Sequence, residues 1–376
     1  MSTHGTLVRA LAMAEKEVVH ILRDRQFLIF ALGMPVVLIL TFGYAVSFDI
    51  ERIPLVVVDQ DRTQNSRRLV TRFTASDTFR IVATRDDPDA VEPLFRSYSA
   101  KAALIIPHGF ARRIASGDEA RVQRLLDGAD NTTASIALGY ATAVSLSASR
   151  AELLRRLGEV PIPVAIRIRT FFNPGLKSAI FLVPGLMVVI LVMIAVMLTA
   201  LTIAREYERG SMEQLFATPI GRLEVILGKL GPYFLIGLVQ VLLVLTMGVT
   251  LFGVPVRGSL LLLFAVSSVF LLAMLMQGLL ISVLTRNQMV ASMAALTSTF
   301  LPALLLSGFV FPVENMPATL RFLAAILPPQ YYVRALRSIL LRGNGLAVVL
   351  PDLLILGLFF VVLLILSTFR FKRSLG

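Results

Sequence analysis

The sequence predicts an α-helical polytopic membrane protein with six transmembrane helices and an α/β domain inserted after the first. Three observations predict this. The 376 residues are 56% hydrophobic and only 16% charged, whereas soluble domains carry about 25% charge. Apolar runs at 27–46, 179–203, 230–253, 260–285, 289–311 and 350–369 each approach or exceed the ~20 residues that cross a bilayer as a helix. Segment 47–178 has no such run and holds more than half of both the basic and the acidic residues.

Residue types exclude several chemistries. The chain has no cysteine, so a disulfide frame and a cysteine metal site are both ruled out. The three histidines, His4, His20 and His108, are scattered, and no metal site is expected. A net charge of +12 in a soluble protein would suggest nucleic acid. Here it follows from basic residues at membrane ends and on the large polar segment, so no nucleic acid partner is expected.

Residues 1–26 place Leu7, Leu11, Ala14, Val18 and Leu22 at helical spacing, with Arg9, Lys16, Arg23 and Arg25 among them. This is an amphipathic interfacial helix lying against anionic membrane lipids. The first span, 27–46, follows. Its run is too long and its leader too extended for a cleaved signal, although Ala45-Val46-Ser47 is a weak cleavage site. Pro35 is expected to kink it. In 47–178, strands are expected at 53–58, 79–83, 102–106 and 121–126. Helices are expected at 62–73, 89–96, 107–116 and 131–157, the last capped by Asn131. An extended return at 167–172 and a turn at Asn173-Pro174 lead back to the membrane. The alternation argues for an α/β domain. Asp59, Asp61 and Thr63 invite a calcium-loop reading, but the glycine and distal glutamate of such a loop are absent, and a turn with side-chain caps is expected instead.

Between the second and third runs, Glu206, Glu208, Glu213 and Glu224 alternate with Arg205, Arg209, Arg222 and Lys229. Glu206 and Arg209, and Arg209 and Glu213, share a helical face. Thr218-Pro219 reads as an N-cap and the first position of a new helix. The expectation is a short charged helix over 204–222, a sharp stop, and a second helix entering the membrane. On charge alone, an ordinary solvated loop helix fits as well. The wording E-Y-E-R-G-S-x-E-Q-L-x-x-T-P, then E-V-I-L-G-K-x-x-P-Y, resembles the coupling segment of ABC-2 type export permeases, with Ser211 where that family usually has threonine. V-V-D-x-D-x-T-x-x-S-R, I-I-P-x-G-F and L-D-G-A-D-N resemble the extracytoplasmic domain of the large members, and L-S-G-F-V-F-P-V-E-N-M-P also fits the family.

The resemblance implies the type-2 ABC exporter fold. It also implies an ATPase-facing role for Arg205, Glu206, Glu208, Gly210, Glu213, Thr218 and Pro219. It implies a separate ABC ATPase subunit that binds ATP and Mg, a second permease copy or related chain, and a drug, lipid or similar amphiphile moved outward. A periplasmic adaptor is a further partner that the outer domain admits.

Only Arg286-Asn287-Gln288 separates the fourth and fifth spans, which makes them a tight hairpin. Segment 312–349 is semi-apolar, and Pro317, Pro328 and Pro329 break it into helices too short to span. It reads as a re-entrant or interfacial pair whose Arg321, Arg334, Arg337 and Arg342 snorkel outward. Basic residues of the leader, the elbow, Arg286 and the C-terminus put both termini in the cytoplasm of a bacterial inner membrane and 47–178 outside, against a single Arg257 in the 254–259 loop. Gly228-Lys229 is followed by Leu230 and lacks the earlier glycine of a phosphate loop, so the chain is not an ATPase by that route and carries no cofactor. Acids within spans are nearly absent, and Asp352 is expected to be interfacial, which argues for an external energy source. Phe181, Gln240, Gln277, Phe300, Phe309 and Phe311 are candidate pathway-lining residues. Interhelical hydrogen bonding is the commoner use of such glutamines, and core or lipid-facing positions are the default for the phenylalanines. A membrane-anchored receptor or scaffold, whose elbow recruits a soluble partner, is the competing function.

Overall fold

A computed structural model describes residues 3–45, 52–75, 78–129, 131–157, 172, 177–211 and 220–371. The chain divides into two compact units, Met1–Ser47 with Thr170–Gly376, and Phe48–Arg169. The expectations for 167–171 and for Asn173-Pro174 lie outside the described residues, as do Glu213, Thr218 and Pro219.

The first unit opens with helix α1, Thr3–Arg23. Asp24 then accepts a 3.0 Å bond from the Phe27 N–H and caps α2, Arg25–Tyr44. Within α2, Ile29–Gly33 forms a π-helical turn directly before Pro35. Proline lacks the N–H that the helix needs, and the local ladder readjusts one turn upstream.

The second unit is built on strands β1 (Ile53–Asp59), β2 (Phe79–Arg85), β3 (Ala102–Ile106) and β4 (Gln123–Leu126), interleaved with α3 (Gln64–Thr74), α4 (Val91–Arg96) and α5 (Phe110–Ser116), and followed by α6 (Asn131–Leu157). The sheet order is β2-β1-β3-β4, parallel except for β4. β1 and β3 are central and apolar on both faces, as parallel strands covered on two sides must be. Leu55 and Val57 face Leu69, Phe73 and Phe110, while Val56 and Val58 face Val91. The Asp59–Thr63 turn is a capping device. Asp59 accepts from the Asp61 and Arg62 N–H groups and from Ser66 Oγ at 2.6 Å, and Thr63 and Ser66 close a reciprocal cap on α3.

The first unit resumes with α7 (Ser178–Glu208), α8 (Arg222–Phe252), α9 (Leu260–Thr285) and α10 (Gln288–Leu306). The short helices α11 (Ala318–Ala325) and α12 (Pro328–Arg337) follow, and then α13 (Leu346–Arg370). Among the described residues, six helices (α2, α7, α8, α9, α10 and α13) are long and apolar enough to cross a membrane. α7 is their hub: 78% of its most apolar window is buried, against 17% for α2 and α13. Gly278 lets α9 cross α7 closely, because a Cβ there would stand 2.1 Å from Thr199 Oγ1 and 2.4 Å from the Val196 carbonyl. One turn further, Ser282 Oγ accepts from the Ile203 and Ala204 N–H groups at 3.1 and 2.9 Å, which fixes the two helices axially.

Asp352 departs from expectation. It is buried, at 5% exposure, and accepts three hydrogen bonds from Arg334, two from Nε and one from Nη2. A carboxylate on the second turn of α13 meets Arg334 of α12 there, and the cation partner offsets the cost of its burial. Arg337 also does not reach outward as expected. Its guanidinium donates to the Gly308 carbonyl at 2.9 Å and to those of Phe181 and Phe309, and lies 3.9 Å above the Phe181 ring.

Candidate functional site

The charged stretch after the second apolar run begins as the end of α7. Arg205, Glu206 and Glu208 occupy its last turn; of the short charged helix expected over 204–222, Ser211 is helical and 212–219 lie outside the described residues. The helix stops at Arg209 because Gly210 takes φ +69, a left-handed conformation that costs any other L-residue. Among the described residues no heavy atom lies within 4 Å of a Cβ built there, so what the glycine serves is the turn. Thr218 and Pro219 lie outside the described residues, and α8 begins at Arg222 after the non-helical Ile220 and Gly221. Gly221 is its N-cap, and Glu224 reaches back 2.8 Å to the Gly221 N–H.

α1 crosses the start of α8 at Gly228, where a Cβ would meet the Ala10 carbonyl at 2.8 Å and Met13 Cβ at 2.7 Å. Met13, Glu17 and Ile21, one face of α1, are buried, whereas Leu11, Val18 and Leu22 stay exposed as an apolar stripe. The helix therefore has a protein face and a separate lipid-compatible face.

This crossing assembles a charge network. Lys229, 1% exposed, donates to Glu206 Oε1 at 3.0 Å and to Glu17 Oε2 at 3.3 Å. Tyr233, one helical turn on, donates its hydroxyl to Glu17 Oε1 at 2.7 Å. Arg9 donates to Glu224 at 2.8 Å, Lys16 lies 4.0 Å from Glu206, and Arg205 lies 3.7 Å from Asp24. A buried cation shared by two carboxylates offsets the desolvation that either charge alone would suffer. A cavity of about 230 Å³ opens beside the network, lined by Glu17, Arg205, Glu206, Lys229 and Tyr233 over Leu198 and Phe27.

Tyr207 and Glu208, also at the end of α7, reach the α9–α10 hairpin. Glu208 accepts from the backbone and side-chain N–H groups of Gln288, and the Arg286 guanidinium stands 5.0 Å from the Tyr207 ring. Glu206 does not pair with Arg209. Its partner, Lys229, lies on another helix, and the signal available in the sequence was a lysine followed four residues later by a tyrosine inside an apolar helix. Glu17 carried no comparable signal.

The candidate pathway residues are not gathered in one place. Gln240 is buried and donates 2.7 Å to the Ala31 carbonyl. Gln277 donates to Thr299 in the π turn Leu296–Phe300 of α10, the turn that Phe300 closes. Phe309 is buried against Gly185, and Phe181 lies beneath Arg337, so these two meet around one cation. Phe311 is 56% exposed.

An apolar bundle carrying a buried charge network at one end of its central helix defines an integral membrane protein built to hold helices in register. Comparison with known proteins gives the family. A family model described as "ABC-2 family transporter protein" matches residues 25–369. The chain is 34% identical over 370 residues, 98% of its length and 97% of the relative's, to the "Probable multidrug ABC transporter permease YbhS" of Escherichia coli strain K12. It is 28% identical to the "Probable multidrug ABC transporter permease YbhR" of that strain, across 91% of this chain and 92% of the relative. It is also 27% identical to its "Inner membrane transport permease YhhJ", across 86% of each. The chain belongs to the ABC-2 transporter family and is a membrane permease of that class.

Proposed function

We propose that this permease pairs with a second copy or a related permease and is driven by a separate ABC ATPase subunit that binds ATP and Mg. It moves an amphiphilic substrate, a drug, lipid or related molecule, outward across the bacterial inner membrane. Both termini are cytoplasmic, and the α/β unit lies outside, where a periplasmic adaptor has access to it. Relatives whose names include multidrug transport support an amphiphile as cargo.

The observation that carries the coupling role is the Glu17–Lys229–Glu206 triad. Force applied near Arg205–Gly210 reaches α7, α8 and α1 together, because one buried cation joins all three. Glu206 and Glu208 sit where a partner's motion enters, with Glu213, Thr218 and Pro219 in the same segment. Phe181, Phe300 and Phe311 offer apolar surface to a path at the permease–permease interface. The test is co-purification with the ATPase, reconstitution, and measurement of drug- or lipid-stimulated hydrolysis. Glu206→Gln is expected to accumulate normally and lose the stimulation. Full stimulation in that variant, or failure of any ABC ATPase to co-purify, defeats the reading.

A further inference from the structure

The α/β unit contains a cavity of about 360 Å³ between α3 and α6, closed at one end by α5 and the loop that follows it. Its floor is apolar: Leu69, Phe110, Ile114, Val122 and Ala148. α6 lines it with the small residues Ser145, Ala148 and Ser149, which leave the space open, and ends its wall with Glu152 and Leu153. The volume lies near the lower end of the roughly 300–1,000 Å³ typical of small-molecule sites, enough for one chain or ring system.

The rim is charged, and its two signs differ in how they are satisfied. Asp118 accepts from Ser116 Oγ at 2.6 Å, and Glu119 pairs with Arg121 at 2.9 Å. Those acids are held within their own loop, and Glu152, the third acid of the rim, on α6, is also engaged in an interaction of its own. On the opposite wall, Arg68 and Arg72 stand four residues apart on one face of α3. Arg72 spends one donor on the Ser147 carbonyl at 3.1 Å. Arg68 makes no hydrogen bond or ion pair among the described residues. An apolar trough beside an unspent guanidinium is complementary to an apolar body with an anionic head.

We infer that this cavity is a binding site for a single-chain or single-ring anionic amphiphile, with its carboxylate, sulfate or phosphate on Arg68 and Arg72 and its apolar part over Leu69, Phe110 and Ala148. The inference rests on this unit's own geometry and is independent of the direction of transport.

The test uses the full chain in amphipol with dansyl-undecanoate as the fluorescent probe. Saturable binding is expected, displaced by decyl sulfate and not by decyltrimethylammonium. Arg68→Gln should bind about tenfold more weakly, the size of one charge-assisted hydrogen bond, with partial recovery in Arg68→Lys. Ala148→Phe, which fills the trough, should abolish binding, and Ser145→Leu serves the same purpose should that variant fail to accumulate. Arg112→Gln, on the exposed side of α5, should be unchanged. Displacement by lysophosphatidylglycerol as well assigns a membrane-derived ligand, and displacement by decyl sulfate alone a soluble one. The site is overturned by absence of saturable binding, by equal displacement with the two surfactants, or by unchanged affinity in Arg68→Gln or in the filled variant.

Discussion

The side-chain amide of Gln240 donates a 2.7 Å hydrogen bond to the carbonyl of Ala31. Pro35 stands four residues beyond Ala31 and has no N–H, so that carbonyl lacks its ordinary helical donor. A glutamine from α8 supplies what the proline removes from α2, inside the apolar layer. Gln240→Leu is expected to cost about 0.6–1.7 kcal/mol. The loss should shrink in a Pro35→Ala background, where residue 35 regains its own donor. Thermal midpoints of the four chains in detergent provide the measurement, and equal losses in both backgrounds would sink the account.

Lys229→Met leaves Glu17 and Glu206 buried without their shared cation. Breaking a buried pair in this way costs about 3–5 kcal/mol, so low yield of folded protein is expected. Adding Glu17→Gln removes one of the stranded charges and should recover part of the yield. If the double variant accumulates no better than the single, the triad does not stabilise the fold.

Gly278→Ala places a methyl group against Thr199 and the Val196 carbonyl, and overpacking of this kind costs about 1–3 kcal/mol. Gly231→Ala meets no heavy atom within 4 Å and should be neutral or mildly stabilising, since alanine favours the helix. Thermal midpoints that fall equally in both variants would show that close packing at Gly278 is not the cause.

Gly210→Ala forces alanine into a left-handed turn at a cost of about 1–2 kcal/mol. The strain should lower the melting midpoint by only a few degrees, while stimulated ATP hydrolysis falls sharply, and Gly210→Asn should be milder. A large drop in melting with intact stimulation would reverse the assignment.

The proposed orientation is checked by single cysteines in this cysteine-free chain. Ser66 is unsuitable because it is fully buried on Asp59, whereas Ser99, Lys16 and Arg370 are exposed. An impermeant maleimide should label Ser99→Cys in intact cells and reach Lys16→Cys and Arg370→Cys only after permeabilisation. Labelling of Lys16→Cys in intact cells contradicts the orientation.

Much of the architecture was legible because it is encoded locally. Apolar runs mark the long helices within a few residues, and β-branched runs such as Ile53–Asp59 mark the strands. Pro317 and Pro328 delimit α11 and α12 as expected. The relationships within the site were not legible, because each joins residues far apart in sequence. Glu17 meets Lys229 only because Gly228 admits α1, and Arg9 finds Glu224 at the same crossing. Asp352 looked interfacial from its place at a helix start, and only the path of α12 brings Arg334 to it. Sequence spacing also offered Arg209 as a partner for Glu206, but a buried cation on a neighbouring helix is the contact the fold makes.

Two residues, Arg286 and Asn287, join α9 to α10. So short a tether leaves the two helix ends no slack, and the bonds from Gln288 to Glu208 fasten the end of α7 to the same point. At the opposite end, α10 is interrupted by a π turn at Leu296–Phe300 and its continuation bends at Gly308, φ +83. α7 and α10 are thus tied at both ends, at the hairpin by Glu208 and Gln288 and at the far side where Phe309 packs against Gly185 and Arg337 donates to the carbonyls of Phe181 and Phe309. Fastened so, the frame resists sliding of α9 past α10, and the weak point it retains is the π turn inside α10 itself.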